Sequence, residues 1–451
     1  MGLETMVIRT SVVAVAVACA GSACAGSVDS SAGDGGDQAD GDGGPGRPDA
    51  APSDVPVWPN QESAANSDPW LAEHHAEIGL LRPRVLLLNF VNAKSNDQML
   101  AEIDVLMNAF REGSRYHAYS DPDAGPMLEY QIARAVDLRD ADPPDGFPYH
   151  NSTLYPREDP QEGYWGFDYE KLWSPAFAEL YGFRDPGDGH FMDLCELIEA
   201  GEVHEVWIYG DADVPDVSAA EILELKPAYD QDRQRTAGAM NPCAGNGCFD
   251  AEDIDSLPAH CSRTIRIGWV NNTRGPGCYM ESWGHGMEGT AHAGLVPPFT
   301  ERFHEFGDFN LDTRYGTPFD SWYACSVPDC LTFTGPTSLT YDTGPMTGSL
   351  TDYIPACGNA HFAPNSRQHY DDRSPYTVTS TCEHYRLGDG PGGADATEPF
   401  STDKFRPYDS IAGDCSGAWK VYWMQSMPGY QSPALDPEGG PLLSFLPFVF
   451  Y

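Results

Sequence analysis

Two hydrophobic periods alternate along the chain. Arg84-Val-Leu-Leu-Leu-Asn-Phe-Val91 is a nearly continuous apolar run, the pattern of a strand covered on both faces. From Gln98 to Phe110 the apolar residues Leu100, Ile103, Leu106, Met107 and Phe110 recur at helical spacing, which predicts an amphipathic helix. Tyr130 to Val136 reads as a second strand, and Phe191 to Ala200 as a helix leading into the buried strand Glu205-Val-Trp-Ile-Tyr209. Thr264-Ile-Arg-Ile-Gly-Trp-Val270 is a further strand. Strands alternating with helices predict an α/β fold, with a mostly parallel sheet, helices on both faces and long disulfide-stapled loops.

Polar residues follow these strands: Asn92, then Asp211 and Asp213, then Asn271 and Asn272. Ligands of open parallel sheets bind beyond the carboxyl ends of the strands. Past Gly294 the chain is rich in Pro, Gly, Asp and aromatics, and it closes on Pro441-Leu-Leu-Ser-Phe-Leu-Pro-Phe-Val-Phe-Tyr451. That end is too short to span a bilayer and is expected to dock into the core. No linker or repeat interrupts the chain after Trp70, so residues 61–451 are expected to form a single large α/β domain.

The N-terminal region has a different character. Residues 1–25 read as an export signal: Arg9 carries positive charge, Thr10 to Ala18 is a small apolar run, and small residues follow. Cys19 and Cys24 allow a lipoprotein type, in which lipid on one cysteine would be the one membrane contact. Gly26 to Asp54 holds seven Asp and one Arg among Gly, Ser, Ala and Pro. It cannot bury apolar area and predicts an acidic tether, with the linker taken to residue 60. The protein is expected to be exported, either extracellular or on the outer cell surface.

Charge narrows the partners. The 451 residues carry 26 Lys+Arg against 68 Asp+Glu, a formal charge of −42. Nucleic acid and anionic membrane surfaces are therefore poor partners, whereas the excess either favours cations or simply keeps the protein soluble in salty surroundings. Ten cysteines remain beyond the signal, and in an exported chain an even number predicts up to five disulfides. There is no P-loop, no Gly-x-Ser-x-Gly and no Gly-x-Gly-x-x-Gly following a strand.

The segment Gly277-Cys-Tyr-Met-Glu-Ser-Trp-Gly-His-Gly-Met-Glu-Gly-Thr-Ala-His292 carries the most chemistry. Glu281, His285, Glu288 and His292 are spaced four, three and four apart, which on a helix places them along one stripe. Carboxylates with imidazoles suit zinc, iron or manganese. Three such ligands and a water would make a hydrolytic centre, and zinc is the expected metal. The first two positions are Glu281 and Ser282, so this is not the zincin His-Glu-x-x-His. Gly284, Gly286 and Gly289 either weaken the helix or permit a close backbone approach. A second cluster, Cys357-Gly-Asn-Ala-His361-Phe-Ala-Pro-Asn365 followed by His369, Tyr370, Asp371 and Asp372, offers His361 as a ligand or general acid/base. The pairs His204-Glu205 and His304-Glu305 read as structural.

Three blocks resemble those of a family of exported bacterial and fungal proteins. They are Glu205-Val-Trp-Ile-Tyr-Gly, Asn272 through Glu288, and Gly358-Asn-Ala-His-Phe-Ala-Pro-Asn365. The family shows Asp-Glu-Val-Trp, Glu-(Ser/Asn)-aromatic-Gly-His-Arg-x-Glu and Gly-x-x-His-(Phe/Tyr)-Pro-Pro-Asn. Here His204 stands for the Asp, Gly286 for the Arg and Ala363 for the first Pro. The resemblance names no reaction. It implicates Glu281, His285, Glu288 and His361 in a shared site, and it does not include His292.

The leading expectation is an exported metal-dependent hydrolase acting on an extracellular polymer, glycan or peptide, with such a polymer or a small molecule as its partner. Glu281, Glu288 and His361 are the catalytic candidates, and Glu281, His285, Glu288 and His292 the metal candidates. Asn272, Asn365 and Trp283 are the substrate-binding candidates, with Trp165, Trp322 and Trp423 as further stacking surfaces. Without a metal, Glu281 and Glu288 could act as a glycosidase carboxylate pair. The alternative is a non-catalytic surface protein that binds glycan or divalent cations.

Overall fold

The apolar runs become the strands of one sheet. A computed structural model of the chain describes residues 55–65, 67–139, 156–158, 165–167, 169–210, 217–218, 222–388 and 396–451. These all fall within one compact unit, Ala51–Tyr451. The export segment, most of the tether, Asp211 and Asp213 lie outside the described residues.

The central sheet has five strands: β3 (Arg84–Asn89), β4 (Gln131–Asp137), β5 (Glu205–Gly210), β6 (Ile222–Leu225) and β7 (Ile265–Asn271). Their order is β4-β3-β5-β7-β6, with the first four parallel and β6 pairing antiparallel to β7 at the edge. The sheet is thus mixed and mostly parallel, within an α/β fold. A short parallel pair, β1 (Val57–Trp58) with β2 (Leu80–Leu81), precedes it. This corrects the linker boundary at residue 60: Trp58 is fully buried, packed edge-on against His204, so the folded part has begun by β1.

Alternation along the strands divides the buried residues into two clusters. Val85, Leu87, Trp207 and Tyr209 join residues of α1 (Asn96–Gly113), α4 (Pro276–His292), α5 (Pro297–Phe306) and α6 (Gly417–Ser426). Leu86, Leu88, Val206 and Ile208 join Phe177 and Tyr181 of α2 (Pro175–Tyr181) and Leu194 and Leu197 of α3 (Leu194–Glu199). Ser95 opens α1 with a reciprocal capping box to Gln98, which sets its start. The chain end docks as expected, with Phe445, Phe448, Phe450 and Tyr451 buried in the first cluster.

Beyond α5 the long loops carry an antiparallel sheet of Leu331–Gly335, Ser338–Asp342 and Thr347–Thr351. All ten cysteines among the described residues pair: Cys195–Cys261, Cys243–Cys248, Cys278–Cys415, Cys325–Cys330 and Cys357–Cys382. Among the described residues no helix is long and apolar enough to cross a membrane. Five disulfides fit an oxidising compartment.

Candidate metal centre

Helix α4 starts five residues after the end of β7 and is fastened at its N-terminal end. Asp414 accepts from the Gly277 N–H at 2.9 Å, and the Cys278–Cys415 disulfide joins the same two segments. The glycines serve close packing. A Cβ on Gly286 would lie 2.6 Å from Nη2 of the buried Arg266, and one on Gly289 would lie 2.2 Å from the Gly245 carbonyl oxygen. Met280, Trp283, Met287 and Ala291 enter the core, which leaves Glu281, His285 and Glu288 on the stripe toward residues 357–370.

The segment carrying His361 is held from several sides. Cys357 is bridged to Cys382, and Gly358 adopts φ +65°, where a Cβ would meet the Phe362 carbonyl at 2.0 Å. The Gly358 and Asn359 carbonyls accept from the indoles of Trp423 and Trp419 on α6, at 3.0 and 2.9 Å. His361 donates its backbone N–H to Asn359 Oδ1 at 3.1 Å.

These elements bring three ligand-type atoms together. His285 Nε2 is 3.0 Å from His361 Nε2, Glu281 Oε1 is 3.2 Å from His361 Nε2, and His285 Nε2 is 3.7 Å from Glu281 Oε1. The Tyr370 phenol donates to Glu281 Oε1 at 2.5 Å and lies 2.5 Å from His361 Nε2. All three residues are largely buried: their side chains are 13 % (Glu281), 16 % (His285) and 11 % (His361) exposed.

The outer hydrogen bonds assign the protons. His369 Nε2 faces the Cys325 carbonyl at 2.9 Å, and a carbonyl only accepts, so that nitrogen carries the hydrogen. His369 Nδ1 is then a lone pair, and His361 Nδ1, 2.7 Å away, donates to it. His361 Nε2 is consequently left as a lone pair directed at Glu281, His285 and Tyr370. Burial keeps both rings neutral, lowering His361 to about 4 and also lowering His369. His285 donates from Nδ1 to Glu288 Oε2 at 2.8 Å, which in the neutral ring leaves a second lone pair at Nε2.

Glu288 is fixed in turn. Its Oε2 also accepts from Tyr323 at 3.0 Å, and its Oε1 accepts from the Ala360 N–H at 2.9 Å. Burial opposes its ionisation, but the adjacent His285 and the Ala360 N–H hold it below the usual carboxylate range. Burial likewise opposes ionisation of Glu281, yet the Lys420 ammonium and the Tyr370 hydroxyl that donates to it pull it below that range. Lys420 is itself fully buried on α6, where burial pulls its affinity for the proton down.

Two imidazole Nε2 atoms and a carboxylate oxygen thus face one another. Four ligands held at 2.0–2.1 Å around a tetrahedral ion stand about 3.3–3.4 Å apart, and the observed 3.0, 3.2 and 3.7 Å bracket that spacing. Both imidazoles are backed on Nδ1, as metal-binding histidines generally are.

The other expected site residues are placed elsewhere. His292 shares the stripe, but eleven residues along a helix are about 16 Å, beyond reach of an ion at Glu281. Its Nδ1 faces the Glu288 carbonyl at 2.6 Å and its ring packs on His304 and Phe309. Glu288 backs His285 rather than joining the three ligand atoms. Trp283 is fully buried, donating to Tyr130 at 3.1 Å, and Trp322 and Trp423 are buried too, so none offers a ring face to a sugar. The Trp165 side chain lies outside the described residues. Asn365 is buried, donating to Tyr376 and Thr402, and Asn272 donates to the Gly210 carbonyl while its own carbonyl accepts from Lys94. These two asparagines hold loops together. His204 is structural as read, accepting from the Arg84 N–H at 3.0 Å.

Tyr323 and Lys420 carried no motif. One signal for Lys420 was available, since it is the single charge in the otherwise apolar Ala418-Trp-Lys-Val-Tyr-Trp423. No protein-family model matches the chain, and no curated protein matches it.

Proposed function

We propose that this is an exported, metal-dependent hydrolase holding one divalent ion, zinc by its donor set, on Glu281, His285 and His361. Its substrate class is an extracellular polymer, glycan or peptide. The observation that carries the reading is the meeting of three ligand atoms: His285 Nε2, His361 Nε2 and Glu281 Oε1 face one another at 3.0–3.7 Å, and with both rings neutral the two nitrogens present lone pairs. Lone pairs so arranged repel one another unless a cation or a proton lies between them. A divalent ion there would supply Lewis acidity and an activated water.

The chain's own residues have distinct parts in this reading. Glu288 and His369 orient the two imidazoles and keep the proton on the far nitrogen. Lys420 keeps Glu281 anionic. The centre opens at the surface through Tyr370, whose residue is 43 % exposed, which suits a polymer chain passing over it. We further read the sheet as covered by helices on both faces, which leaves the outer side of α4 as the working surface. The resemblance of the three sequence blocks supports the same residues.

A second reading, a non-catalytic cation-binding surface protein, is favoured by the Tyr370 phenol standing beside the three ligand atoms. One experiment separates these readings. The purified full chain is loaded with zinc, dialysed, assayed for metal content beside Glu281→Gln and His285→Ala, then screened on peptide and glycan polymers with and without chelator. About one equivalent of zinc, absent from both variants, with chelator-sensitive cleavage supports the hydrolase. Zinc without cleavage of any polymer gives the binding protein, and no zinc overturns the metal centre.

A further inference from the structure

We propose that Tyr370 is a displaceable fourth ligand, a phenol gate that closes the centre until an oxygen ligand of the substrate replaces it. The inference rests on the metal reading above and adds how that site is regulated.

Four observations carry it. The phenol oxygen reaches two of the three ligand atoms, Glu281 Oε1 and His361 Nε2, at 2.5 Å each. It approaches from the solvent side, since Tyr370 is 43 % exposed while the three ligands are buried. The backbone at Tyr370 has φ +59°, a left-handed conformation that aromatic residues rarely adopt. The turn enforces it: Arg367 clamps Asp371 through Nε at 2.6 Å and Nη2 at 3.1 Å, and Tyr370 donates its N–H to the His361 carbonyl at 3.0 Å. The backbone is therefore fixed, so any movement of the phenol is a rotation of the side chain about it.

The closed ring also covers a charge. Lys420 Nζ lies 5.4 Å from the Tyr370 ring centroid, a cation–π distance. When the ring swings out, that buried ammonium loses its aromatic cover, and its field favours an incoming oxygen that bears negative charge. A carboxylate or polarised carbonyl oxygen is therefore the ligand chemistry that fits, and a cationic or purely apolar group is not.

The test uses the full chain loaded with cobalt(II), whose visible spectrum reports its ligands, with acetate as the probe. Wild type and Tyr370→Phe should each take up about one equivalent of cobalt. Acetate should bind Tyr370→Phe about tenfold more tightly or better, the factor expected when one hydrogen bond to a charged group need not be broken. Tyr370→Ala, read in the same way, repeats the test without the ring and should shift in the same direction. Equal acetate affinity in wild type and variants at equal cobalt content overturns the gate and leaves the metal centre standing. Failure of wild type to take up cobalt removes the metal centre, and the gate with it.

Discussion

A Cβ built on Gly289 would stand 2.2 Å from the carbonyl oxygen of Gly245. In an open helix, Gly→Ala gains about 1 kcal/mol, so packing decides the sign at each of the three interior glycines of α4, Gly284, Gly286 and Gly289. At Gly284 the nearest atoms are Trp423 Cζ3 at 3.3 Å and Ala360 Cβ at 3.4 Å. At Gly286 they are Arg266 Nη2 at 2.6 Å and Ile222 Cγ2 at 3.1 Å. Guanidinium denaturation should therefore rank the alanine variants. Gly284→Ala should stay within about 1 kcal/mol of wild type, Gly286→Ala should lose about 1–3 kcal/mol, and Gly289→Ala should lose most, because backbone cannot yield. A stabilised Gly289→Ala would defeat the close-approach explanation.

The same helix shows what was readable beforehand. Spacing placed Glu281, His285 and Glu288 on one stripe, and they lie on one. A stripe gives direction around the axis but not reach along it, which is why His292 was included although one ion cannot span to it. The long apolar strands β3, β5 and β7 were legible within two residues, because burial on both faces leaves their interiors almost wholly apolar, with Arg266 the one charged residue inside them. Strand β6 was not read: four residues beside a proline carry too little pattern, and their pairing to β7 is set by tertiary contact. The burial of Trp283 was not legible, because an aromatic residue has the same letter whether it faces solvent or the core.

Loop length separates the disulfides. Cys278–Cys415 closes 137 residues and ties the start of α4 to the segment before α6, whereas Cys243–Cys248 closes only 5. Chain-entropy arithmetic gives about 5 kcal/mol for the first and about 2 kcal/mol for the second. Paired Cys→Ser substitution should lower the thermal midpoint much further at Cys278/Cys415 than at Cys243/Cys248. Equal losses would mean that local packing, not closure of the long loop, sets their contribution.

Buried histidines give the fold an acid-sensitive component. His75 faces the Tyr451 hydroxyl at 2.7 Å and the Ser444 carbonyl at 2.8 Å, and burial lowers it from 6.5 to about 3. A depressed value means that the unfolded chain binds the proton first. The stabilisation is therefore complete above pH 6.5 and is lost as pH falls toward 3. Asp68 and Asp308, which burial raises to about 6, act with the opposite sign below pH 6, so total stability is a poor readout. The difference between wild type and His75→Gln isolates the effect. That gap in unfolding free energy should narrow by about 1.4 kcal/mol per unit below pH 6.5, and a gap that stays constant from pH 7.5 to 4.5 would rule it out.

Glu288→Gln tests the proton chain itself. Glu288 Oε2 accepts the His285 Nδ1 hydrogen at 2.8 Å, while Oε1 accepts from the Ala360 N–H at 2.9 Å. In the variant the amide oxygen satisfies Ala360, so the amide NH2 faces His285 and donates to Nδ1. The imidazole hydrogen then moves to Nε2, where it points at His361 and Glu281 and removes one of the two lone pairs. Zinc affinity, measured by chelator competition, should fall by about 10–100-fold, the usual effect of losing such a partner. His292→Ala, whose ring packs on Phe309 outside the cluster, should leave that affinity unchanged. Wild-type zinc affinity in Glu288→Gln would show that the His285 tautomer does not depend on this carboxylate, and the lone-pair argument for the centre would fail with it.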